Sequence, residues 1–277
     1  MHTDLVARDG VKLRVLRTDL HPDQPTVLFV NAVGMVSELA TGLAGGFSQA
    51  GFNFVTWDLR GSPGPSLGRR DCTLASHAQD AVQILDELGV GAVHVLGWCT
   101  GASAALFLAE RLGDRMRALV AVDGAYLFDG VPGAPLGNAM YAMCKDIVAD
   151  AGTAARYHEL TRPRGNEATV LGLEHAPDLV DHMTLPYRQG LDELVRYAFA
   201  IWSACDYEPV AALHRVDRPM LLTARQDDRM VSYRNSVRAA GHVAGAQVRI
   251  ADSGGHYGLF TDTTAVPEIA AFLRAQQ

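Results

Sequence analysis

Several things are missing from this sequence. No apolar run approaches the ~20 residues that a bilayer-spanning helix needs, so no membrane span is expected. The opening residues Met1-His2-Thr3-Asp4-Leu5 carry no apolar signal core, which points to a cytoplasmic protein. Positive charge is not in excess: the net charge is -7 and there is no basic cluster, so nucleic acid is not an expected partner. The four cysteines, Cys72, Cys99, Cys144 and Cys205, are widely scattered. None is paired at the spacing of a zinc site or a redox dithiol, and reduced thiols are expected. No cofactor or metal signature is visible. Gly97-x-Cys99-x-Gly101 is not a phosphate loop, because it has neither the lysine nor the spacing of one. The sequence leaves the oligomeric state open.

The chain is otherwise ordinary for a globular protein, with 277 residues, 48% of them hydrophobic and 20% charged. Its most informative stretch is Val93-His94-Val95-Leu96-Gly97-Trp98-Cys99-Thr100-Gly101-Ala102-Ser103. It begins as a buried-strand pattern and continues as an Ala/Leu-rich helix through Glu110. A strand that turns straight into a helix leaves no room for side chains beside the turn. Glycine two residues either side of Cys99 meets that demand, and the turn lifts the central residue into a strained, exposed position. Taken alone, the five residues also fit a glycine-flanked buried cysteine.

The rest of the chain supplies a context. Residues 4–17 alternate about the turn signal Asp9-Gly10. Thr26 to Val30, Gly51 to Trp57, Val93 to Trp98 and Ala118 to Gly124 read as strands. Helical spacing separates them, including Ser76 to Leu88 with Ser76 as N-cap. Such alternation predicts a mostly parallel sheet with helices on both faces. From about Tyr126 to Arg215 the rhythm breaks. A Gly- and Pro-rich lead is followed by helices predicted over 139–150, 152–160 and 190–204. The sheet then resumes at 218–224 and 247–250, and a helix over 266–277 closes the chain.

Together these segments resemble the α/β-hydrolase superfamily. Cys99 stands at the nucleophile elbow, where serine is usual. Asp228 lies three residues before Val231, as the acid of that family does, with Arg225 in a glycine place and Ser232 in a proline place; Asp227 is the alternative. His256, in Gly255-His256-Tyr257 after the last strand, resembles the family histidine. The order nucleophile, acid, histidine is the family order. The family's His-Gly loop reads Asn31-Ala32 here. Its oxyanion-hole N–H falls to Val33, or else Ala32, with Thr100 giving the second. Asp58-Leu59-Arg60-Gly61 and the following Ser62-Pro63-Gly64-Pro65-Ser66 resemble a structural turn of the family.

The resemblance implies an α/β-hydrolase fold in which residues 1–125 and 216–277 form the core and 126–215 a helical cap. Cap and elbow side chains would line the substrate pocket: Trp98, Met140, Tyr141, Tyr187 and Trp202 foremost, with Met143, Leu185, Tyr197, Phe199 and Tyr207 as further candidates. The implied chemistry is acyl transfer by a Cys99–His256–Asp228 triad through a thioester. Cysteine at the elbow also resembles polyhydroxyalkanoate synthases, some assembly-line thioesterases and dienelactone hydrolases. It favours an acyltransferase or thioesterase acting on a small acyl substrate, such as a coenzyme A or carrier-protein thioester. The alternatives are plain ester, lactone or amide hydrolysis, a serine replaced by Cys99 through engineering, and a ligand-binding protein without catalysis.

Overall fold

The computed structural model of the protein describes residues 1–62 and 72–276. The prolines and glycine of the 63–66 turn, and Gln277, lie outside them.

The strands are β1 (His2–Val6), β2 (Lys12–Arg17), β3 (Thr26–Val30), β4 (Asn53–Trp57), β5 (Val93–Trp98), β6 (Met116–Val122), β7 (Met220–Arg225) and β8 (Gln247–Ala251). They form one sheet in the order β1-β2-β4-β3-β5-β6-β7-β8. β1 pairs with β2, and β2 with β4, antiparallel; every later pairing is parallel. β3, β4 and β5 are buried along their whole length. Central parallel strands are covered on both faces, which is why they read as unbroken apolar runs. The edge strands β1 and β8 are exposed at most positions.

Between β1 and β6 lie α1 (Thr41–Gln49), α2 (Leu74–Glu87) and α3 (Thr100–Leu112). Six helices come between β6 and β7: α4 (Pro135–Ala149), α5 (Ala154–Leu160), α6 (Glu167–Leu171), α7 (Pro177–Arg188), α8 (Leu191–Cys205) and α9 (Pro209–Leu213). α10 (Tyr233–Ala240), α11 (Gly258–Thr261) and α12 (Ala265–Arg274) complete the chain. The strand pleat sorts side chains into two cores. Leu28 and Val30 pack on the α2/α3 side, while Val27 and Phe29 pack on the α1/α12 side. α4 and α8 join the first core through Met143, Cys144, Ile147, Leu194 and Ala198.

Two expectations change. The N-cap of α2 is Thr73, whose hydroxyl accepts from Ser76 N at 3.1 Å, so the helix begins before Ser76. α6 and α7 were not expected, because Pro177 and Pro186 masked the helical spacing of α7. Pro177 sits at the helix start, where its missing N–H costs nothing, and Pro186 falls in the last turn.

The Asp58–Arg60 turn is a fastener. Asp58 accepts from Ser37 N at 2.6 Å. Arg60 meets Asp80 through two bonds of 2.7 Å and reaches Asp9 at 2.5 Å, tying the β1–β2 hairpin to α2. No described helix is long and apolar enough to cross a membrane.

Candidate active site

Parallel strands present their C-terminal ends along one edge of the sheet, where loops from distant parts of the chain meet. At that edge β5 turns into α3 through Cys99, whose φ of 55° and ψ of -122° lie outside the usual regions for an L-residue. Its backbone is held on both sides: Cys99 N donates to Val122 O at 3.0 Å, and Cys99 O accepts from Ala102 N and Ala125 N, each at 3.1 Å. The flanking glycines are required by contact. A Cβ on Gly101 would lie 2.1 Å from Val30 O, and one on Gly97 would lie 2.6 Å from Ala102 Cα. The expectation that the tip is exposed needs correcting. Cys99 is 7% exposed and lies at the wall of a cavity.

His256 and Asp228 come to the same place. His256 Nδ1 is 2.8 Å from Asp228 Oδ2, and both side chains are buried. The second oxygen of Asp228 accepts from Met230 N at 2.7 Å and Val231 N at 2.9 Å, which fixes the carboxylate. Asp227 does a different job: its carboxylate accepts from Gly254 N at 3.2 Å and Gly255 N at 2.9 Å, so it holds the backbone before the histidine. Trp98 Nε1 donates to His256 O at 3.1 Å, and the two rings lie 5.1 Å apart. Burial opposes charge on the imidazole. The Asp228 carboxylate, with Cys99 as its other partner, overcomes that and raises His256 well above its ordinary value.

The two candidate N–H donors of the β3 loop differ. Ala32 N donates to its neighbour's Asn31 Oδ1 at 2.9 Å. Val33 N points to residue 100, donating to Thr100 Oγ1 at 3.0 Å. Thr100 opens α3, where a helix has unpaired N–H groups.

One nearby pair was not anticipated. Asp123, just after β6, is fully buried with a φ of 48°. Arg225 donates to its Oδ2 at 3.1 Å, and its Oδ1 has no partner among the described residues. Burial raises the Asp123 carboxyl above its usual range. Asp123, Asp228 and His256 are the one cluster of metal-type donors found among the described residues. Within it His256 Nδ1 is bonded to Asp228 and Arg225 to Asp123 Oδ2.

The cavity beside Cys99 has a volume of 570 Å³. Of the expected pocket residues, Trp98, Met140 and Tyr187 line it, as do Met143 and Tyr197. Tyr141 and Trp202 do not: their rings stack on each other 5.5 Å apart. Each follows a lining residue, Met140 on α4 and Ile201 on α8. One residue along a helix turns the side chain about 100°, into the α4–α8 contact. Leu185, Phe199 and Tyr207 are also absent from the lining. Met35, Met140, Met143, Met183 and Met230, five of the chain's eight methionines, do face the cavity. Arg162, Arg164 and Asn166 from the α5–α6 connection, with Glu167 at the start of α6, also line it on its exposed side. Apart from Met140 and Met143, none of these was a candidate in the sequence.

A family described as having the alpha/beta hydrolase fold matches residues 25–143. A poly(3-hydroxyalkanoate) depolymerase from Ectopseudomonas oleovorans is 25% identical over 268 residues, covering 95% of this chain and 90% of that one. Among solved structures, a hydrolase from Pseudomonas aeruginosa PA01 superposes with a TM-score of 0.71 at 22% identity, covering 98% of both chains. The enol-lactonase from Burkholderia xenovorans LB400 gives 0.72 at 15% identity, covering 98% of this chain and 100% of that one. These structural likenesses establish the fold.

Proposed function

We propose that this chain, which has the α/β-hydrolase fold, is a hydrolase of ester or closely related acyl bonds, and that it works through a covalent intermediate on Cys99. One set of contacts carries the reading. The Cys99 sulfur sits on a positive-φ elbow at the wall of a cavity, next to an imidazole whose other nitrogen is held at 2.8 Å by Asp228.

In this reading the Cys99 proton rests on His256 Nε2, the ring nitrogen that Asp228 leaves free, as a thiolate–imidazolium pair, in keeping with the raised His256. The sulfur lone pair forms a bond to the acyl carbon while the carbonyl π pair moves onto oxygen. Thr100 N–H and Val33 N–H receive that oxyanion, and the substrate oxygen takes the place that Thr100 Oγ1 holds on Val33. Loss of one such donor costs about 3 kcal/mol. Collapse expels the alcohol, which takes the proton back from His256. Water then gives a proton to His256 and attacks the thioester carbon, and the acid leaves as the C–S bond breaks. Asp228 stabilises the imidazolium in both halves. Residues 126–215 act as the cap, and their methionines give an apolar, adaptable wall suited to an alkyl chain. The poly(3-hydroxyalkanoate) depolymerase among the relatives favours an ester as the bond cleaved.

The sulfur favours a second reading, transfer from a coenzyme A or carrier-protein thioester, because a thioester intermediate is open to amines and thiols. One experiment separates the two. Short-chain 4-nitrophenyl esters and acyl thioesters are mixed with the protein, with and without an added amine or thiol. Intact-protein mass spectrometry follows the adduct, and the products are quantified. Hydrolysis predicts an acyl adduct that Cys99→Ala lacks and free acid as the main product. Acceptor adducts exceeding free acid would favour transfer. No adduct and no turnover with any donor would end both readings.

A further inference from the structure

The cavity wall is apolar except at a few points, and one of them is incompletely paired. Tyr187, on α7, and Tyr197, on α8, meet edge to face with ring centroids 5.5 Å apart. Their hydroxyls are 3.4 Å apart, a long bond, and Tyr197 Oη donates onward to Met140 Sδ at 3.2 Å. A thioether is a weak acceptor. Tyr187 Oη donates to Tyr197 Oη, so the Tyr197 proton is the one directed at sulfur. Burial raises both phenols above their ordinary value, so each keeps its proton at any working pH.

The pair also lies close to the reacting atoms. The Tyr197 ring covers Gly34, where a Cβ would fall 2.3 Å from it, and Gly34 follows the Val33 donor. Both phenols line the same cavity as Cys99. The exposed side, at the 162–166 segment, is a different part of the cavity. After acylation the first product leaves, while the acyl group stays bonded to sulfur in the cavity.

Resting on the hydrolase reading above, we propose that Tyr187 and Tyr197 form a subsite for a second oxygen on the acyl group. The enzyme then takes hydroxy- or keto-substituted acyl groups in preference to plain alkanoyl ones. Such an oxygen accepts the proton now spent on Met140 and turns the long Tyr–Tyr contact into a closed network. A plain alkyl chain leaves that proton on the weak thioether acceptor, and sites built to bond a substrate oxygen reject analogues that lack it.

The test compares kcat/KM for 4-nitrophenyl hexanoate with its 3-hydroxy and 5-oxo derivatives, in the wild type, Tyr187→Phe and Tyr197→Phe. The wild type should favour at least one oxygen-bearing ester about tenfold. Each phenylalanine variant should bring that ratio towards one, mainly through KM. A wild-type ratio near one, or a ratio unchanged in both variants, overturns the subsite. A purely structural role would slow all the esters together and leave the ratio unchanged. The companion measurement is calorimetric binding of free hexanoate and 3-hydroxyhexanoate to Cys99→Ala. Selective binding of the hydroxy acid without any ester turnover would sink the hydrolase reading and keep the subsite. Turnover without selectivity would do the reverse.

Discussion

Gly101→Ala puts one methyl group against the hinge of the site. The new Cβ would lie 2.1 Å from Val30 O and 2.4 Å from Asn31 O, both backbone atoms at the end of β3. Neither can rotate away as a side-chain tip can. Reaching an ordinary contact requires a separation of about 1 Å between α3 and the loop that carries Val33, and a 1 Å misplacement can cost about a hundredfold in rate. The change therefore falls on the distance between the two N–H groups assigned to the oxyanion. Overpacking of this kind costs about 1–3 kcal/mol of stability, which a folded domain of this size withstands. The expected result is a kcat about a hundredfold below wild type on a 4-nitrophenyl ester, equivalent to about 2.7 kcal/mol of barrier. The circular dichroism spectrum should remain native and Cys99 should still be alkylated by iodoacetamide, because the sulfur and its histidine stay on their own elements. A kcat within threefold of wild type, in a protein with a native spectrum, would refute the reasoning.

The two neighbouring aspartates should separate under mutation. Asp228→Asn removes the charge behind the imidazole and should lower kcat by about 10³–10⁴-fold. Asp227→Asn weakens only the bonds to Gly254 N and Gly255 N, and its loss should be far smaller; steady-state rates of the two variants decide the matter. A third test concerns stability against pH. His77 on α2 is 1% exposed, and neither ring nitrogen has a partner among the described residues. Burial, helped by the Arg60 charge, lowers its pKa to about 3. A depressed histidine stabilises the native state above the unfolded value of about 6.5 and loses that contribution as pH falls towards 3. His77→Leu should therefore gain about 2 kcal/mol relative to wild type between pH 7.5 and pH 5, read from urea unfolding at each pH. A difference that does not change with pH would show that the ring is not held neutral.

What the sequence made legible follows from how local each constraint is. The elbow could be read because two steric demands fall within five residues, Gly97 against Ala102 and Gly101 against Val30. The parallel strands could be read because burial on both faces leaves continuous apolar runs. Asp227 and Asp228 were both candidates in sequence. Only the course of the loop decides that one meets a ring and the other a backbone. The cavity was the least legible part. Its five methionines come from the β3 loop, α4, α7 and the loop after β7, and nothing in their local sequence announces that they converge. Tyr141 and Trp202 looked suitable by type, but each is one position out of phase with the lining face of its helix. Asp123 read as the end of a strand, since its charge partner Arg225 lies 102 residues away.

The bond from Trp98 Nε1 to His256 O spans 158 residues of sequence and joins the side chain next to the Cys99 sulfur to the main chain of His256. An indole so placed, with its ring 5.1 Å from the imidazole, senses both the geometry and the charge of that ring. With Trp57 and Trp202 replaced by phenylalanine, its emission is expected to serve as a native optical gauge. Displacement of the histidine segment, or a change in imidazole protonation during turnover, should register there without any attached dye.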